Sequence, residues 1–185
     1  MSPRSWKLLL KKRLNLIPRG ASNPVFPQVG GQHRIAWVGV GSELNGDDAA
    51  GLWVIRGLAP MLKGEPHILC LESGVNPENA LGPLRKFEPD LVVMVDAADF
   101  GEAAGSIRFI DSREVDGISF STHSLPLNLI TAYLGSELDC PVWLLGIQPE
   151  SLEFAAPLTI DVQNAVDEII VELSKISTRI EGSKS

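Results

Sequence analysis

The chain has 185 residues and a net charge of −7, from 16 basic and 23 acidic residues, a length that suits one domain with a short extension. Seven of the basic residues and none of the acids fall within residues 1–34, so the body is strongly acidic, which excludes nucleic acid as its main partner. No apolar run approaches the roughly 20 residues of a spanning helix.

Residues 1–33 read as a basic N-terminal extension and linker, and 34–185 as one α/β domain. Trp6, Leu9, Leu10, Leu14 and Ile17 recur at nearly helical spacing among basic residues until Pro18. Such a helix could dock on an acidic partner or a membrane surface. A frayed tail, or a helix packed on its own domain, is the favoured alternative. Leu8-Leu9-Leu10 is too short an apolar centre for a secretory signal. Gly20 to Gly31, with Pro24 and Pro27, is the linker.

The body opens with Ile35-Ala36-Trp37-Val38-Gly39-Val40, continuous and apolar like a strand buried on both faces. The turn Gly39 to Asp48 leads into a helical pattern from Ala49 to Leu62. Residues 66–71 form a second strand, Glu72 to Pro77 a loop, and Glu78 to Phe87 a short helix. The third strand is Asp90 to Val95, ending in Asp96. Residues 105–110 alternate in polarity, as an antiparallel edge strand would. A helix follows over about 123–134, a strand over 140–147 and a last helix over about 161–176. Its inward residues are Val162, Ala165, Val166, Ile169, Ile170, Leu173 and Ile176. Strands alternating with helices predict a three-layer α/β/α fold, with a mostly parallel twisted sheet of about five strands and one antiparallel edge.

Sites in such sheets lie at the carboxyl ends of the strands. That rule selects the loops at 42–48, 72–76, 96–99 and 146–150. The first loop reads G-x-G-x-x-x-x-G, followed by Asp47 and Asp48 at the mouth of a helix. Carboxylates there would repel a pyrophosphate, so nucleotide binding is disfavoured. Asp47 is the natural helix cap, and Asp48 is then free to point across the strand ends. Asp96 ends an apolar strand, where a carboxylate is costly unless paired or bound to metal. Asp99 is a weaker candidate. His123 precedes a helix, while His33 and His67 read as structural. Asp48, Asp96 and His123 together form an N/O set suited to nickel, zinc, iron or manganese. No G-x-S-x-G elbow supports a serine nucleophile. Cys70 and Cys140 stand alone, as reduced structural thiols of a cytoplasmic protein do.

Several stretches, taken in order, resemble the hydrogenase maturation endopeptidases: Gly39-Val40-Gly41 with Asn45 to Gly51, Pro77-Glu78-Asn79, Val95-Asp96-Ala97-Ala98-Asp99, Thr122 to Asn128, and Leu145 to Glu150. The likeness is greatest to the branch serving membrane-bound, formate-hydrogenlyase-like enzymes, and it spans about residues 35–175. It implies a protease of aspartic type that removes the C-terminal extension of a nickel-iron hydrogenase large-subunit precursor after nickel insertion. Nickel would come with the precursor and be sensed by Asp48, Asp96 and His123, with Asp48 and Asp96 as the catalytic candidates and no permanent organic cofactor. A metal-binding chaperone that does not cleave is the nearest alternative, and a small-ligand binding module the next. Two positions depart from the family pattern. Ser42 replaces a common Asn, and Ser73 replaces a Gly, which narrows the backbone angles open to that loop.

Overall fold

A computed structural model describes residues 5–16, 33–111, 119–120 and 127–179. The elements run α1 (Ser5–Leu16), β1 (Ile35–Val40), α2 (Ala50–Met61), β2 (Ile68–Gly74), α3 (Leu81–Phe87), β3 (Leu91–Asp99), β4 (Ile107–Asp111), β5 (Ser119–Phe120), α4 (Leu127–Leu138), β6 (Val142–Ile147) and α5 (Ile160–Arg179). Short 3-10 turns over Gly46–Ala49 and Pro77–Ala80 lead into α2 and α3.

Five strands form the sheet in the order β2-β1-β3-β6-β4. The first four are parallel, and β4 runs antiparallel to β6 at the edge. The fold is thus the three-layer arrangement expected, including its antiparallel edge. The two-residue β5 was not legible in sequence; it pairs with Ala98 and Asp99 of β3.

The apolar runs are continuous because each central strand is covered on both faces. Ile35, Trp37, Leu91, Val93, Val95, Trp143 and Leu145 face one core with α2 and α5. Their neighbours Ala36, Val38, Val92, Met94, Val142 and Leu144 face a second core with α3 and α4. This is the period-two alternation of a strand, with both faces dry. In α5, Val162, Ala165, Val166, Ile169 and Leu173 are buried as expected, and Ile170 is partly so. In α1, Trp6 and Leu10 join the first core. The helix lies against β4, and Lys7 pairs with Glu168 of α5 at 3.1 Å. Among the described residues no helix is long and apolar enough to cross a membrane.

Several boundaries differ from expectation. β3 continues past Val95 to Asp99, because β6 pairs with it as far as Ala97 and β5 beyond. β2 extends to Gly74, and Gly41 donates its N–H to the Gly74 carbonyl at 3.1 Å. α4 runs on to Leu138 and is followed by Asp139 in a left-handed conformation, φ 50°.

Cys140 is buried and Cys70 half-buried. Desolvation pushes Cys70 up to about 11. Burial, aided by the Asp90 and Asp139 charges, pushes Cys140 up to about 12. Only thiolate reacts, so a raised pKa means slow reaction below it. Alkylation by iodoacetamide at pH 8 is expected to stay slow in the native protein and become fast in denaturant. Rapid labelling of the native chain at pH 8 would contradict this environment.

Candidate functional site

The sheet reverses its winding between β1 and β3. From β1 the chain passes through α2 to β2 on one side; it then returns through α3 to β3 on the other. In doubly wound sheets such a reversal, at the carboxyl ends of the strands, is the usual ligand position. Asp48 follows β1, and Asp96 lies on β3.

Close backbone packing fixes the chain around these two aspartates at the reversal. At Gly51 an added Cβ would overlap the carbonyl oxygens of Val95 and Val40, so only glycine lets α2 press on the ends of β1 and β3. Asp48 lies three residues before that contact, and Asp96 one residue after it. Gly41, at φ +129°, likewise has no room for a Cβ beside the Asp48 carbonyl. A Gly51→Ala substitution is expected to cost about 3 kcal/mol or more, since overpacking usually costs 1–3 kcal/mol and here the obstacle is backbone. Denaturant titration would measure it; an unchanged midpoint would mean α2 is not wedged there.

Asp48 is fully buried, and its Oδ2 accepts the Ser42 N–H at 2.9 Å. Asp96 is also buried, at 1 % exposure, within β3 opposite Gly146 of β6. The 3-10 turn that carries Asp48 packs on β3. The predicted metal set is thus described for two of its members. His123 lies outside the described residues, and no group of three or more metal-binding side chains occurs among the described ones.

Asp47 corrects the sequence reading. It does not cap the helix: the residue before the 3-10 turn is Asn45, and no side chain caps that turn. Instead, the buried Asp47 carboxylate accepts the N–H groups of Glu150 and Ser151 at 2.9 and 3.0 Å, and the Thr159 N–H at 2.7 Å. The Thr159 hydroxyl donates to it as well, at 2.9 Å. These donors from the loop after β6 outcompete a local cap, because a desolvated carboxylate needs several partners. The periodic pattern around Asp47 held no sign of them.

Gln148 was also missed. It is buried, and its Oε1 accepts the Phe100 N–H at 2.7 Å while its Nε2 donates to Asp99 at 3.1 Å. Asp99 is exposed and also accepts the Gly101 N–H at 2.9 Å. That N–H, then Gln148, lowers the Asp99 pKa below the usual carboxylate value. Asp99 therefore holds its own loop. A glutamine that pins a neighbouring loop has no signature in hydropathy or charge.

The departures at Ser42 and Ser73 are accommodated. The Ser42 hydroxyl accepts the Leu44 N–H at 3.3 Å. Ser73 lies inside β2 and donates to the Gly39 carbonyl at 3.0 Å, and the left-handed residue there is Gly74, φ 66°.

The molecule is thus a doubly wound α/β protein with two buried carboxylates at its switch point. A family model, HycI: Hydrogenase maturation protease, matches residues 53–176. The hydrogenase 3 maturation protease of Escherichia coli is 33% identical over 135 residues, covering 72% of this chain and 85% of that protein. The crystal structure of a [NiFe] hydrogenase maturation protease HycI from Thermococcus kodakarensis superposes with a TM-score of 0.73 at 32% identity, covering 80% of this chain and 94% of that one. The solution structure of an endopeptidase HycI from Escherichia coli gives a TM-score of 0.61 at 31% identity, with 82% and 91% covered. The chain belongs to the hydrogenase maturation protease family.

Proposed function

We propose that the chain is an aspartic-type endopeptidase that removes the C-terminal extension of a nickel-iron hydrogenase large-subunit precursor after nickel insertion. The carrying observation is the placement of two fully buried carboxylates, Asp48 and Asp96, at the switch point by fixed backbone packing. Nickel arrives as the cargo of the precursor, and Asp48, Asp96 and His123 are the residues proposed to recognise it. A mixed carboxylate and imidazole set suits a divalent transition metal. The chain itself keeps no permanent organic cofactor.

Two routes to hydrolysis are open to these residues. A carboxylate of the pair can take a proton from the attacking water as general base. Alternatively, the precursor's nickel, shared with the three side chains, polarises the scissile carbonyl or the water. The unpaired thiols of Cys70 and Cys140 agree with a cytoplasmic site of action.

The test is incubation with nickel-loaded and nickel-free precursor, followed by mass measurement of the large subunit. Loss of the tail only from the nickel-loaded form is expected, and His123→Ala should slow it at least ~100-fold. Binding of the nickel-loaded precursor with its tail left intact would instead identify a non-cleaving chaperone.

A further inference from the structure

The loop that carries Asp48 also carries part of an apolar lip that the aspartates do not explain. Leu44, in the loop after β1, is 58% exposed; Phe154, in the loop after β6, is 72% exposed, and Leu152 beside it 39%. The two loops are fastened to each other. The Ala155 N–H donates to the Leu44 carbonyl at 2.7 Å, and the Asp47 N–H to the Ser151 carbonyl at 2.9 Å. The Asp47 carboxylate completes the clasp through Glu150, Ser151 and Thr159. Ala155, next to Phe154, is held in the left-handed region at φ 59°, which costs a non-glycine residue of order 1 kcal/mol. A strained residue and a buried carboxylate thus hold a large aromatic side chain in water. Stability alone would favour a relaxed, polar loop.

The surroundings of the lip are acidic. Glu43, Glu150 and Glu153 flank it and are exposed. The nearby cation, Arg56, is already engaged by Glu43 and Glu72. Among the described residues Glu150 and Glu153 have no basic partner. Apolar side chains flanked by two unneutralised carboxylates, Glu150 and Glu153, complement a partner segment that is itself apolar and basic.

We infer that the Leu44–Leu152–Phe154 lip is a docking surface for a basic, apolar segment of the protein precursor, separate from the site where the peptide bond is cut. This rests on the reading of the chain as a precursor-processing protease. Phe154 is the aromatic anchor, and the glutamates steer the encounter.

The experiment compares unsubstituted protein, Phe154→Ser, Leu44→Ser and the double variant Glu150→Lys/Glu153→Lys, with Val171→Ser on the exposed face of α5 as control. Each is assayed for tail removal from nickel-loaded precursor, and for precursor binding by interferometry. Phe154→Ser should raise KM and the binding Kd about 10- to 30-fold, as loss of an aromatic anchor does. The double charge variant should slow association and flatten its salt dependence, and Val171→Ser should match the unsubstituted protein. Because Phe154 is exposed, its melting temperature should hold. Normal KM and Kd for Phe154→Ser, alongside working cleavage, would overturn the docking surface and leave the protease reading standing. Binding that depends on Phe154 without any cleavage would do the reverse. Self-association of the chain, or adhesion to lipid vesicles, abolished by Phe154→Ser while precursor binding is unchanged would also overturn it.

Discussion

Replacing Asp48 by Asn is expected to slow removal of the tail from a nickel-loaded precursor by about 100- to 10,000-fold, the span for loss of a positioned acid–base group. The melting temperature should change little. Asn is the same shape and keeps a carbonyl oxygen to accept the Ser42 N–H now bound at 2.9 Å. What it lacks is the charge, and with it both the basicity and the affinity for a divalent cation. Timed digests resolved by mass spectrometry, with a thermal melt of the same sample, separate the two effects. Processing at the unsubstituted rate would remove Asp48 from the chemistry.

The neighbouring residue should behave in the opposite way. Asp47→Ala is expected to cost about 3–5 kcal/mol, the range for removing one partner from a buried charged network. For a chain of this size that is about 10 °C in melting temperature. The substitution strands the N–H groups of Glu150, Ser151 and Thr159, which all donate to the Asp47 carboxylate. Orphaned donors add their own cost. Asp47→Asn should lie between, because one oxygen is kept while the amide nitrogen faces donors. Scanning calorimetry decides it: an unshifted transition in Asp47→Ala would falsify the stapling role. Two adjacent aspartates, both fully buried, should thus divide, one lost as activity and the other as stability.

How much of this could be read beforehand depends on the range of each interaction. The sheet was legible because its runs, such as Ile35–Val40 and Val142–Ile147, are apolar at every position, and only strands covered on both faces are so continuous. The antiparallel edge was legible in the alternation of 105–110. Asp96 stood out because charge ending a buried run is costly, and Asp48 because one helix mouth does not need two aspartates as its cap. The extension of β3 to Asp99 was hidden, because pairing supplied by β6 and β5 overrides local propensity. The work of Asp47 was hidden for a stronger reason. Its partners are 103 to 112 residues away, and a local pattern that suits a helix cap cannot report donors so distant. His123 was read from its setting before a helix and from family likeness, and lies outside the described residues.

The clasp at Asp47 also bears on the order in which the molecule comes together. As the chain is made, the glycine turn and its aspartates emerge early, and the loop that receives them follows more than a hundred residues later. Closing so large a loop is entropically slow and is rewarded only once β6 is in place. Until then the turn that carries Asp48 lacks its long-range anchor. A growing chain therefore cannot close this turn until the segment through Thr159 has been added and folded back.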